Sequence, residues 1–238
     1  MCTVTFLPGQ GNHFILTSSR DEHALRKKAA PPRKFHINRQ TVFYPKDAQA
    51  GGTWIATGVN NFTLCIMNGA FQRHTPSPPY VKSRGIMLLD FFGFNDVEVF
   101  AREYDFKGIE PFTLLLLNSS ETLILHELRW DGQQVVLQLK DATQPQVWSS
   151  ATLYDGETID KRQLWFNEWL GKNELSDMES IFHFHEFGGA GDKATAVLMN
   201  RNNTLMTVSI TSIQKSIEGI RMKYKDVLDD KNYTIRIL

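Results

Sequence analysis

Apolar residues along the chain recur mostly with a period of two, in pairs of short stretches joined by turn-forming residues, as in β-hairpins. CTVTFLP and HFILTSS flank GQGN, TWIATG and FTLCIMN flank Val59-Asn60-Asn61, and FTLLLLN and TLILHELRW flank Ser119-Ser120-Glu121. QQVVLQLK follows Asp131-Gly132, TAVLMN and TLMTVSI flank Arg201-Asn202-Asn203, and the last strand-like stretch is YTIRIL. The wholly apolar run Leu114 to Leu117 predicts a strand covered on both faces. Four stretches break this rhythm and carry helical patterns: VKSRGIMLLDFFGF, DVEVFAREYD, ETIDKRQLWFNEWLGK and ELSDMESIFHFHEF. In the third, Ile159, Leu164, Phe166, Trp169 and Leu170 form a rough 3.6-residue stripe.

The elements run sheet, helix pair, sheet, helix pair, sheet. Antiparallel strands leave no crossover helices between neighbours, so helices inserted in pairs pack on the outer faces of two stacked sheets. The expected class is α+β, a four-layer αββα sandwich, in one domain over residues 1–238. There is no internal repeat or linker, and the proline-rich AAPPRK and TPSPPY read as loops.

Charge narrows the partners. Lys plus Arg and Asp plus Glu are 26 each, so no long-range field favours nucleic acid or an acidic membrane surface, and a ligand must be recognised locally. The first apolar stretch is interrupted by Pro8 and Gly9 and lacks the basic flank of a signal peptide, and no run approaches about 18 apolar residues. A soluble, cytoplasmic protein without membrane insertion is expected. The two cysteines, Cys2 and Cys65, then stay as free thiols, and the sequons at Asn61, Asn118, Asn202 and Asn232 go unused. Cys65, in an apolar run, reads as core.

Cys2 stands directly behind the initiator methionine, which is commonly trimmed before a small side chain. Trimming leaves a thiol and an α-amine on one residue, with ordinary pKa values of about 8.5 and about 8. The amine can take the thiol proton near neutral pH, so nucleophile and base coincide. A nearby guanidinium would stabilise the thiolate, and a carboxylate would hold the ammonium. If residues 2 to 7 pair with 13 to 19, the end of the second strand returns beside the first and brings Arg20 and Asp21 next to Cys2. The plainer alternative, an incidental cysteine and a solvated Arg-Asp turn, stays open on spacing alone.

Several short motifs in register resemble the NRDE family, also called the transport and Golgi organisation 2 family. They are MC at the start, SRDE at Ser19 to Glu22, a proline at Pro31 or Pro32, GGTW at Gly51 to Trp54, MN at Met67-Asn68 and SRG at Ser83 to Gly85. They span roughly the first 90 residues. The resemblance implies a branch of the N-terminal nucleophile hydrolases, with the αββα sandwich and a beginning similar to bile-salt hydrolases and penicillin V acylases. It implies cleavage of a linear amide by Cys2 without metal or cofactor, Arg20 stabilising the thiolate, Asp21 orienting the α-amine and Asn68 donating to an oxyanion beside a backbone N–H. Arg162 is matched to a further arginine near the nucleophile. Two departures stand out: Ser19 replaces the family's asparagine, and WSSATLYD replaces an asparagine-bearing segment of the amidases.

The family is also linked to haem and acyl-lipid handling. The competing expectation is therefore a binding or trafficking protein for a hydrophobic small molecule such as haem or an acyl conjugate, with Cys2 or His23 as a candidate axial ligand. Trp54 and Arg84 are candidate substrate-binding residues. Trp54 alternatively anchors its strand while Gly51 and Gly52 serve backbone geometry, and Arg84 alternatively starts a helix. HFHE at His183 to Glu186 lacks an evident third metal ligand. GGAGDKAT has the wrong glycine-to-lysine spacing for a phosphate loop and reads as a tight turn with an ordinary Lys193. Trp165, Phe166 and Trp169 read as helix core.

Overall fold

The computed structural model describes residues 3–173 and 177–237. In chain order these form β1 (Thr3–Pro8), β2 (Phe14–His23), β3 (Ala30–Ile37), β4 (Gln40–Lys46), β5 (Ile55–Gly58) and β6 (Phe62–Asn68). Next come α1 (Arg84–Asp90), running into a 3-10 turn at Phe91–Gly93, and α2 (Val97–Glu103). Then follow β7 (Phe112–Asn118), β8 (Ile124–Trp130), β9 (Val135–Lys140), β10 (Gln146–Ser149), α3 (Gly156–Lys172) and α4 (Met178–Phe187). The chain closes with β11 (Asn200–Arg201), β12 (Leu205–Ser216), β13 (Gly219–Asp226) and β14 (Lys231–Arg236). No helix among the described residues is long and apolar enough to cross a membrane.

Two compact units are built, one from the residues up to Arg26 together with Gln144–Arg236, the other from Lys27–Thr143. The first holds an antiparallel sheet in the order β10-β1-β2-β12-β13-β14, with the short β11 also on β12. Its helices start as their sequences dictate: Asp155 caps α3 by accepting from the Thr158 N–H, and Asp177 and Ser180 form a capping box on α4. Phe166 on α3 and Ile181 and Phe184 on α4 pack with Leu7 of β1, Ile15 of β2 and Val197, flanked by Trp165 and Trp169. The expected stripe of α3 is therefore buried at Phe166, while Leu164 is 54% exposed.

The second unit is the antiparallel meander β3-β4-β5-β6-β7-β8-β9. Leu114 to Leu117 on the interior strand β7 are fully buried, and Cys65 on the central β6 is buried with them. Phe91, Phe94, Phe100 and Phe106 meet edge to face at centroid separations of 5.2–5.4 Å, the geometry that the ring quadrupole favours. The GGTW and SRG motifs meet here: a Cβ on Gly52 would lie 2.3 Å from the Gly85 carbonyl carbon, and one on Gly85 would lie 2.5 Å from the Thr53 oxygen. Only glycine allows this approach, which lets the Thr53 N–H donate to the Gly85 carbonyl.

Two expectations need correction. AAPPRK is not a loop but forms most of β3. As the edge of its sheet, β3 tolerates prolines that donate nothing, and the register shifts between Ala30 and Arg33, across Pro31 and Pro32. TAVLMN is not a strand: only Asn200 and Arg201 join β12. Its apolar residues are buried as a strand's would be, but apart from the Met199 carbonyl, which accepts from the Thr207 N–H, its backbone is engaged elsewhere. The Val197 N–H donates to Gly188, and the Thr195 and Ala196 carbonyls accept from Arg162.

Candidate active site

The first hairpin pairs Thr3 with Ser19 through to Pro8 with Phe14, the register its alternating pattern calls for. Cys2 lies outside the described residues. At the end of this ladder β2 continues past Ser19 into Arg20 and Asp21, both buried, at 4% and 2% exposure.

The pleat separates these two neighbours. Thr3, Thr5, Ser19 and Asp21 share the face that α3 and α4 cover, and Arg20 occupies the other face. There Arg20 pairs at 3.5 Å with Glu22, which also binds Arg26. Tyr224 of β13 lies on the same side, its hydroxyl pKa pushed up to about 12, mainly by burial. Opposite Arg20 and Asp21, β12 bulges: Thr207 pairs with Asp21 and Ser209 with Arg20, leaving Val208 as the extra residue. A bulge reverses the phase of alternation. Thr207 can thereby face Asp21 on the helix side while Ser209 follows Arg20 on the other.

Asp21 is held at both carboxylate oxygens. The Thr207 hydroxyl donates to Oδ1 at 2.5 Å, and the Tyr154 hydroxyl donates to Oδ2. Tyr154 sits in the short connection between β10 and α3, and its ring supports the Arg162 guanidinium, whose carbon lies 3.8 Å from the ring centroid. Arg162 is fully buried and uses all three nitrogens: Nε donates to the Thr195 carbonyl at 2.9 Å, Nη1 to Thr3 Oγ1 at 2.5 Å and Nη2 to the Ala196 carbonyl at 2.5 Å. Among the described residues no carboxylate forms an ion pair with it. The segment that looked like a strand in the sequence is thus the cradle of a buried cation.

A second buried group lies on the same face. His185 of α4 bridges the first two strands, with Nε2 at 2.8 Å from Thr5 Oγ1 and Nδ1 at 2.7 Å from Ser19 Oγ. Burial, helped by the positive charge of Arg162, brings its pKa down to about 3, so the ring is neutral. Ser19 is thereby joined to a helix. HFHE divides accordingly: His183 is exposed and lies against the Phe187 ring at 4.4 Å, while His185 is buried.

The remaining candidates belong to the second unit. Asn68 ends β6 opposite Phe112, followed by a turn in which Gly69 takes φ +81° and donates to the Pro111 carbonyl. Trp54 is buried just before β5. Arg84, first residue of α1, pairs with Glu110 at 2.9 Å and donates to the Pro111 carbonyl at 3.1 Å. In the first unit again, His23 is exposed and its Nδ1 accepts from the Leu25 N–H. In GGAGDKAT, Gly189 at φ +72° lies under the Trp165 ring, a turn after α4 and not a loop between strand and helix.

The sequence reading missed Tyr154, Thr207 and His185 as parts of this cluster. HFHE drew attention to His185 only as a metal-ligand candidate, and the lone tyrosine in WSSATLYD and the polar residues within TLMTVSI gave a fainter signal.

Residues 1–220 match the family model described as Transport and Golgi organisation 2. Among curated proteins none matches the chain. Solved structures do resemble it. A variant of conjugated bile acid hydrolase from Clostridium perfringens superposes with a TM-score of 0.63 at 10% identity, over 99% of this chain and 92% of that one. Penicillin V acylase from Agrobacterium tumefaciens gives 0.56 at 13% identity, over 99% and 86%. An N-acylethanolamine-hydrolyzing acid amidase ortholog from Caenorhabditis elegans gives 0.50 at 15% identity, over 89% and 92%. The likeness fixes the fold as the αββα type of the N-terminal nucleophile hydrolases.

Proposed function

The chain belongs to the Transport and Golgi organisation 2 family, and from that premise we propose that it is an N-terminal cysteine hydrolase cleaving a linear amide of a small substrate. The observation that carries this is the buried Arg20-Asp21 pair at the end of the β1–β2 ladder, one step beyond Thr3 opposite Ser19. Two adjacent charged residues are rarely both buried without a task, because desolvation costs several kcal/mol per ion. The hydrolase fold and the amide-hydrolysing neighbours point the same way.

In the proposed reaction Met1 is removed and the Cys2 α-amine takes the thiol proton. The thiolate, stabilised by Arg20, attacks the amide carbonyl to give a tetrahedral oxyanion. The C–N bond breaks, the amine leaves with the proton held by the α-ammonium, and a thioester remains. Water then gives a proton to the α-amine and attacks the thioester. The acid departs and the thiol is restored. Asp21 orients the α-amine and pairs with it whenever it is protonated, and Arg162 supports the site through Thr3.

The test joins intact mass with turnover of fluorogenic aryl amides carrying linear acyl groups of graded length. The expected result is a protein lacking Met1 that turns over at least one probe, with Cys2→Ala lowering kcat by about 1,000-fold or more, the scale on which loss of a catalytic nucleophile acts. Retained Met1, or turnover indifferent to Cys2→Ala, would overturn it. A hydrophobic ligand that copurifies equally with wild type and Cys2→Ala, without turnover, would instead establish the binding alternative.

A further inference from the structure

We infer that Tyr154 and Thr207 are positioning residues that fix the Asp21 carboxylate in the orientation needed to hold the Cys2 α-ammonium. Asp21 accepts one side-chain hydroxyl at each oxygen, from two distant parts of the chain: Tyr154 before α3 and Thr207 on β12. A carboxylate with a donor at only one oxygen can still turn about its last bond. Donors at both oxygens set its plane.

Each donor is itself built in. Thr207 Oγ1 also accepts from the Met199 N–H at 2.9 Å, and its side chain reaches Asp21 because of the bulge at Val208. Tyr154 is 5% exposed. Its ring meets the Arg162 guanidinium at 3.8 Å and that of Arg201 at 5.3 Å, so two cations steady the ring whose hydroxyl reaches Asp21. The whole device spans β2, the connection before α3, α3 itself and β12, and it is absent from the SRDE motif that marks Asp21 in the sequence.

This holds only on the cysteine-nucleophile reading of Asp21, and the experiment separates the two. The chain has only two cysteines, so protein labelled with α-15N-cysteine gives one signal for Cys2 and one backbone amide for Cys65. The pH dependence of the Cys2 signal reports its α-amine pKa without any substrate. Asp21→Asn is expected to lower that pKa by about one unit, a tenfold loss in proton affinity. Tyr154→Phe and Thr207→Val are each expected to lower it in the same direction by about half as much, with Thr207→Ser close to wild type.

The direction is diagnostic. Were the two hydroxyls only drawing charge from a carboxylate fixed by other means, their removal would leave Asp21 more strongly negative and raise the amine pKa. A Cys2 signal that is an amide, or one unmoved by Asp21→Asn, overturns the parent reading and this inference with it. A shift in Asp21→Asn with no change or a rise in either Tyr154→Phe or Thr207→Val, in a variant that is folded, overturns the inference alone. Circular dichroism melts define the temperature at which all variants are folded, and a single hydroxyl variant that folds is enough to decide.

Discussion

The two units differ in what lies between sheet and helices: the second packs aromatic rings, whereas the first sets a polar cluster beside its apolar one. Around Phe100 the second unit packs rings edge to face, a core that needs no polar satisfaction. On the helix side of β1 and β2 the first unit buries Thr3, Thr5, Ser19, Asp21, Arg162 and His185, each of which must be matched with a hydrogen-bond partner or carry a desolvation penalty. Well-packed apolar residues are often as stable or more stable than buried ionic groups. Stability alone therefore accounts for the aromatic interior but not for a polar interior kept at the ladder that ends in Arg20 and Asp21.

The contrast can be broken most sharply at Arg162. Arg162→Met keeps much of the volume but orphans the Thr195 and Ala196 carbonyls and Thr3 Oγ1, so we expect about 3–5 kcal/mol of lost stability in urea unfolding, at roughly 1–3 kcal/mol for each buried acceptor left unpaired. A loss under about 1 kcal/mol would mean that the guanidinium is not integral to this interior.

A smaller, pH-dependent effect is expected at His185. Above about pH 6.5 the imidazole is neutral in both folded and unfolded chains. As pH falls from there towards 3, the unfolded state gains a proton that the folded state refuses, so stability falls with pH by about 1.4 kcal/mol per unit. At pH 5 the wild type should thus have lost about 2 kcal/mol that His185→Gln does not lose. Parallel stability curves for the two proteins between pH 7 and 5 would show that His185 takes up a proton in the fold.

The smallest effect is expected in the aromatic unit. Phe100→Leu exchanges one apolar side chain for another and leaves no polar group unpaired, so about 1 kcal/mol should be lost in urea unfolding. A cost matching that of Arg162→Met would erase the distinction between the two interiors.

Much of the architecture was legible in the sequence because its signals are local. The GQGN turn with alternating flanks gives the β1–β2 hairpin, and the run Leu114 to Leu117 gives a doubly covered strand. The proline rule failed at β3 because it speaks for central strands, and β3 lies at an edge. Alternation failed at TAVLMN because burial, which makes the pattern, does not require strand pairing when a guanidinium takes the carbonyls. β4, β10 and β13 passed unnoticed, their apolar residues too few or too interrupted to stand out.

The candidate site divides along the same line. The SRDE motif and the hairpin register bring Arg20 and Asp21 to the end of the first ladder, since pairing partners a few residues apart are fixed by the turn between them. That the two side chains part to opposite faces follows from the pleat. The sequence alone could not say that Tyr154, more than 130 residues on, and Thr207, nearly 190 on, close on the same carboxylate. That convergence depends on strand order and on a one-residue bulge, which are settled by the packing of whole sheets and leave no periodic trace in the segments they join.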